Sequence, residues 1–276
     1  MNDLLSHWDA LLIATTFFAL VLVEGLSGLF QNQKKHSRHW WIDFISLAQV
    51  ALLIKPAIFL LASLGLGLLL ADYQNALADM PFWLGFLLVF LPDDFTHYWY
   101  HRLAHENDWM WPWHRTHHST PTYQTSIAFR ENWAWFWFMP GIWWSAAMFY
   151  FGLVEQVVLS TAIIGLHNTL IHNGFTFDTK LYNRPIIGKL IKAFEHIIQT
   201  PSLHRGHHGL GRNGVPMGNY GQTLFIWDVI FGTAKFIGGK IPEKYGVIKG
   251  GEEPWYTQLW APYGYRKTIN PQTIAE

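Results

Sequence analysis

Histidine accounts for 15 of the 276 residues, and nine of them fall in three tight groups. The first is His97-x-x-x-His101-x-x-x-His105, the second His114-Arg-Thr-His117-His118, and the third His204-Arg-Gly-His207-His208. On a helix, positions i, i+3 and i+4 share a face, so each group can turn two or three imidazoles toward one point. At this histidine frequency a random chain yields about 0.04 matches to His-x-x-His-His, and this chain has two. A lone histidine is usually a satisfied core or surface residue; three such groups are beyond chance. Neutral imidazoles suit iron, zinc, copper or nickel, whereas magnesium and calcium take oxygen. One zinc needs about four ligands, so eight or more histidines point to two metals. Two redox metals beside apolar helices point to oxygen activation on a lipid, because hydrolytic zinc needs fewer ligands and no lipid-facing hairpin. Asp93 and Asp94, one turn before His97, could receive the other N–H of a metal-bound imidazole. Glu106, Glu131, Glu195 and Asp228 could do the same, although each reads equally well as a cap or surface charge.

Composition shows what must position these groups. Half of the residues are hydrophobic, 17% are aromatic and only 14% are charged, against about a quarter charged in soluble domains. Sixteen Trp and eleven Tyr suit a chain that straddles a membrane interface. Zero net charge argues against a nucleic-acid footprint. The absence of Cys excludes disulfides, iron–sulfur clusters and thiolate zinc.

Four apolar regions follow one another. The first, roughly Leu11 to Phe30, reads as a membrane span rather than a signal peptide. Asp3 and Asp9 precede it, and Lys34, Lys35, His36, Arg38 and His39 follow, which sets the N-terminus outside and this loop in the cytoplasm. Glu24, inside the stretch, must face the bundle or the interface. The second region, Phe44 to Leu70, carries Lys55-Pro56, which predicts a kink or an interfacial first part. The third, Phe82 to Leu91, spans only if its helix continues through Pro92 into Tyr100. The fourth, Trp133 to Ile171, is broken at Pro140-Gly141 and Gly152 and reads as a two-helix hairpin whose ends return to one side. All histidine groups then face the cytoplasm. The expected fold is all-α: a polytopic membrane bundle of about four transmembrane or re-entrant helices under a cytoplasmic, histidine-rich helical cap. The tryptophans from Trp133 to Trp144 read as a guide for a lipid or as plain membrane anchors.

The boxes and their flanks resemble those of the fatty-acid hydroxylase/sterol desaturase superfamily. The likeness rests on His101-Arg-x-x-His105, His114-x-x-His117-His118 and His204-Arg-x-His207-His208. It extends to Asp94-Phe95, Trp99-Tyr100, Thr200-Pro201-Ser202, Asn219-Tyr220 and Trp227-Asp228-x-x-Phe231-Gly232-Thr233. It covers roughly Phe82 to Phe236 and looks closest to the alkylglycerol-monooxygenase-like and bacterial sterol-desaturase-like branches. The resemblance implies two iron ions and places a further ligand after the apolar hairpin, at His172. The implied ligand set is His101, His105, His114, His117, His118, His172, His204, His207 and His208. His97 lies on the right stripe but suits a supporting role better, and His167 either ligates or holds a water with Asn168. His196 is left out, and His7, His36 and His39 read as interface or loop residues. The resemblance further implies residues 1–80 as N-terminal spans, 81–236 as the catalytic domain and 237–276 as a cytoplasmic tail.

The implied reaction uses O2 to hydroxylate or desaturate a C–H bond of a lipid drawn from the bilayer. The Gly-x-Gly-x-x-Gly string at Gly209 to Gly214 directly follows the third histidine box and is no pyridine-nucleotide fingerprint, so electrons would come from another protein such as cytochrome b5, ferredoxin or a reductase. The alternatives are a carotenoid hydroxylase or ketolase, a tetrahydropterin-dependent ether-lipid monooxygenase, and a non-catalytic metal-binding membrane protein. The last would string histidines along a transmembrane path rather than gather them at helix ends.

Overall fold

A computed structural model of the chain describes residues 8–28, 40–248 and 253–261. The flanking charges Asp3, Lys34, Lys35 and Arg38, on which the orientation rests, lie outside the described residues, as do His7, His36 and His39.

Helix α1 is Trp8–Leu26. Helix α2 is Ile42–Leu69, 28 residues without a break and about 42 Å long. The helical run continues through Lys55-Pro56. The turn just before, Val50–Ile54, is π-helical, and Pro56 stands at the start of the α-helical run that follows. A missing N–H costs little at a helix start. Helix α3, Phe82–Glu106, continues through Pro92 and ends beyond Tyr100, so one helix carries His97, His101 and His105. Helix α4 is Trp111–His118.

The fourth apolar region forms three helices rather than two: α5 Trp133–Phe138, α6 Pro140–Tyr150 and α7 Val154–Ile171. Asn132 starts α5 by accepting the N–H groups of Ala134 and Trp135, a side-chain cap. Extended Met139 then separates α5 from Pro140. Gly152 turns the chain at φ +98°, a conformation that favours glycine.

Beyond α7 come α8 Asp178–Tyr182, α9 Ile187–Phe194, α10 Pro201–His208, α11 Ile226–Ile230 and α12 Trp255–Trp260. A two-residue antiparallel ladder pairs Gly209–Leu210 with Lys244–Tyr245.

Among the described residues, α2 and α7 are long and apolar enough to cross a membrane, and α1 has a shorter apolar run, Leu11–Leu26. α1 packs on α7, and α6 lies against both α2 and α3. At the first crossing Gly165 admits Ile13, whose Cδ1 would lie 2.3 Å from any added Cβ. Bulky apolar side chains point outward from the rods, among them Leu52, Leu68 and Trp83, the reverse of a water-soluble bundle. On α9, exposed Ile187, Leu190 and Phe194 alternate with exposed Lys189 and Lys192, the pattern of a helix lying in a membrane interface. Buried Glu24 on α1 accepts the N–H and hydroxyl of Thr125 and the N–H of Gly174, so it faces the protein and ties α1 to the histidine end.

Candidate metal centre

The histidines gather where α3, α4, α10 and the end of α7 meet. His101, His105, His114, His118 and His207 form one buried group, and His117, His172, His204 and His208 form a second. Each group has its ligand nitrogens within 4.8 Å of one another. The two His-x-x-His-His boxes divide in opposite senses. In α4 the outer pair, His114 and His118, joins the first group and His117 the second. In α10 the outer pair, His204 and His208, joins the second group and His207 the first. The boxes stack face to face, with the His118 and His208 rings 4.4 Å apart, so both helices contribute to both groups.

Thr200 sets α10 in place by accepting the N–H of Leu203 at 3.3 Å, with Pro201 as the first helical residue, a standard cap.

Hydrogen bonds fix the imidazole tautomers. Nδ1 of His101 donates to the Tyr220 carbonyl (2.8 Å), that of His207 to Gly218 (2.8 Å) and that of His172 to Asn168 (2.7 Å). Nδ1 of His114 donates to Glu131 Oε1 at 2.9 Å. These oxygens only accept, so the proton sits on Nδ1 and the Nε2 lone pair is free. Those lone pairs converge. Nε2 atoms stand 2.9 Å apart between His172 and His204, and 3.1 Å apart between His117 and His172 and between His114 and His118. The buried Nε2 atoms of His101, His105 and His207 have no hydrogen-bond partner. Imidazole nitrogens this close, beside others with no partner, suit a cation between them, so the donor set fits metal. Burial holds His114, His117, His118, His204, His207 and His208 well below the usual imidazole range, with neighbouring imidazoles adding to the shift. It takes His172 down to about 3. The rings are therefore neutral, the form that ligates.

Of the candidate carboxylates, Glu131 alone touches imidazoles: its Oε1 lies 2.9 Å from His114 Nδ1 and 3.6 Å from His117 Nδ1, one from each group. Asp228 acts at one remove. It accepts the N–H groups of Tyr220 and Gly221 and so holds the loop whose carbonyls orient His101 and His207. Asp94 accepts from Thr223, Leu224 and the Trp227 indole, clamping the same region onto α3. Glu106 pairs with Arg102, and Glu195 binds Tyr182 and Thr200.

An apolar cavity of about 470 Å³ runs from the helical bundle to the histidines. Phe18 on α1 and Leu52 on α2 line it while remaining 52% and 73% exposed, so it opens sideways between these helices. Its inner end is formed by His101 and His114 of the first group and His117, His172 and His204 of the second. Of the tryptophans between Trp133 and Trp144, Trp135 alone lines the cavity, and it stacks on His114 at 4.1 Å. Trp133, Trp143 and Trp144 donate to backbone carbonyls elsewhere.

Residues 86–233 match the fatty acid hydroxylase family. The chain belongs to that family. Together with its long apolar helices, this makes it an integral membrane protein. Its relatives include the alkylglycerol monooxygenases of Xenopus tropicalis (36% identical over 167 residues, 60% of this chain and 33% of the relative) and Homo sapiens (38% over 145, 52% and 29%). That of Danio rerio is 28% identical over 253 residues, 89% of this chain and 51% of the relative. The chain thus spans about a third to a half of the length of these relatives. No solved structure matches.

Within the fatty acid hydroxylase region, the nine histidines that the resemblance implied are those the fold brings into the two groups. His97 and His167 belong to neither. His97 lines the cavity, and His167 meets the Gln199 carbonyl at 3.0 Å. Exposed His196 meets the Lys192 carbonyl of its own helix turn.

Sequence reasoning missed the buried arginines. Arg130 donates to Asp43, the Thr116 carbonyl and Gln258, joining α2, α4 and α12. Arg115 and Arg205, inside or beside the boxes, pair with Glu253 and Asp178. Only Arg205, and the matching Arg115, carried a signal, since each follows the first histidine of its box.

Proposed function

We propose that this chain is a membrane-bound non-haem diiron oxygenase that oxidises a C–H bond of a lipid with O2. The observation that carries the proposal is the lateral apolar cavity ending on imidazoles from both groups. A lipid chain entering between α1 and α2 would meet both metal sites without leaving apolar surroundings. His101, His105, His114, His118 and His207 would hold one iron, and His117, His172, His204 and His208 the other. Bound iron supplies the redox chemistry with O2 that breaking an unactivated C–H bond requires.

The rest falls to the chain's own residues. The carbonyls of Gly218, Tyr220 and Asn168 and the Glu131 carboxylate aim the imidazoles. Trp135 and the apolar walls exclude water and align the chain. Electrons come from an external donor of the cytochrome b5, ferredoxin or reductase kind. In the topology that we favour, α1, α2, α3 and the α6–α7 hairpin cross or dip into the membrane, and the histidine end of the catalytic domain, residues 81–236, faces the cytoplasm. An ether-lipid monooxygenase is the second reading, supported by relatives whose names are alkylglycerol monooxygenase.

The test is full-length protein loaded with iron anaerobically, reduced, and given O2 with a panel of alkyl ethers, fatty acyl lipids and sterols. The proposal expects O2 uptake coupled to a product one oxygen heavier or two hydrogens lighter. Firm binding of zinc that iron cannot replace, with no lipid oxidised, would instead favour a non-catalytic metal-binding protein.

A further inference from the structure

Lys55 and Asp93 line the apolar cavity away from the histidine groups. Two helices measure their depth. On α2, Ser46 accepts the Glu131 N–H and marks the level of the histidines; Lys55 stands nine residues further along, about 13 Å. On α3, Asp93 precedes His101 by eight residues, about 12 Å. Both charges therefore sit midway along their helices and face an apolar cavity. Helix α2 is long and apolar enough to cross a membrane, where ionisable side chains are costly and ordinarily serve a ligand or ion.

Their surroundings are shaped to keep them there. Gly141 of α6 faces Asp93 so closely that an added Cβ would lie 1.8 Å from Asp93 Oδ1. Ser145, one turn along α6, donates to Asp93 Oδ2 at 3.2 Å. The π-helical turn Val50–Ile54 directly precedes Lys55 and changes the direction in which it projects; such turns recur at functional sites. A further observation points to a ligand. His97, one turn above Asp93 on the same stripe of α3, lines the cavity, is only 7% exposed, and its Nδ1 has no hydrogen-bond partner.

We propose that Asp93 and His97, supported by Lys55 and Ser145, form a subsite that binds a free hydroxyl group of the lipid. Side chains at i and i+4 stand about 6 Å apart. One hydroxyl oxygen between them can donate to the Asp93 carboxylate and meet the His97 nitrogen. The hydroxyl then lies roughly 6 to 12 Å below His101, several bonds from the carbon presented to the metal ligands. A lipid without it leaves buried polar groups unpaired, which is how such sites reject close analogues. The subsite thus selects hydroxylated lipids over plain alkyl chains. This rests on the reading of the chain as a lipid oxygenase.

The test is saturable binding of tritiated 1-O-hexadecylglycerol to the metal-loaded, full-length protein in detergent, with unlabelled 1-O-hexadecylglycerol and hexadecyl methyl ether as competitors. The wild type should prefer the hydroxylated competitor by about tenfold or more. The double variant Lys55→Met/Asp93→Leu removes both charges together, and His97→Leu removes the second contact without touching them. Each should lower the preference to about twofold or less while keeping wild-type metal content. Equal competition in the wild type, preference surviving in either folded variant, or no saturable binding would overturn the subsite. Preference lost in the variants, but with no lipid oxidised by the reduced, iron-loaded wild type under O2, would uphold the subsite and overturn the oxygenase reading.

Discussion

Glu131 is the residue that links the two histidine groups, because its carboxylate meets His114 of one and lies within 3.6 Å of His117 of the other. It is also held from behind: Ser46 accepts its N–H and donates to its carbonyl. A neutral amide in its place keeps the volume but is a poorer acceptor for His114 Nδ1–H. Glu131→Gln is therefore expected to weaken metal binding about 10- to 100-fold, the usual cost of losing such support. Competition with a graded chelator measures this, and a wild-type affinity would remove Glu131 from the site. At this scale the sequence was informative about which histidines gather, because i, i+3 and i+4 spacing survives in the string. It could not show that the two boxes divide in opposite senses. That depends on α4 and α10 stacking face to face, with their histidines at complementary heights. Nor could it rank the carboxylates: Asp94 looked as well placed as Glu131, yet it clamps a loop while Glu131 touches imidazoles.

The helices were legible where hydrophobic runs were long and less so where Pro and Gly interrupted them. Pro92 was correctly read through, but α3 continues to Glu106. At Lys55-Pro56 the helix continues, with a π-helical turn directly before it that the sequence did not signal. The break expected at Pro140-Gly141 falls at Met139, just before the proline, and with the turn at Gly152 it leaves three helices instead of a two-helix hairpin. The Thr200-Pro201-Ser202 string has a plain mechanical meaning, since Thr200 caps α10 and Pro201 opens it. Thr200→Ala removes that cap and also a partner of Glu195. It should cost about 1 kcal/mol, seen as a lowered melting temperature of the purified protein in detergent. An unchanged melting temperature would show that tertiary packing, not the cap, holds α10.

For the molecule as a whole, the decisive feature is an opening on the side of the bundle rather than at its polar end. Composition and apolar runs indicated a membrane protein but not this portal, which needs α1 and α2 to stand apart while α1 packs on α7 and Glu24 anchors it to Thr125 and Gly174. Leu52 lies at the portal, exposed and outside the histidine groups. Leu52→Trp is expected to raise KM for long-chain lipids several-fold while leaving metal content unchanged, because it narrows access without altering the site. A change in kcat with constant KM would argue against lateral access.

The measurement that bears most directly on the central claim is the metal stoichiometry of full-length protein reconstituted anaerobically with iron, for wild type, His207→Ala and His204→Ala. Two centres built from five and four histidines predict about two irons per chain in the wild type. Each variant should lose metal chiefly from its own group, giving two distinct Mössbauer spectra of the iron that remains. A wild type that holds a single iron, or two variants with identical residual spectra, would contradict the two-centre account.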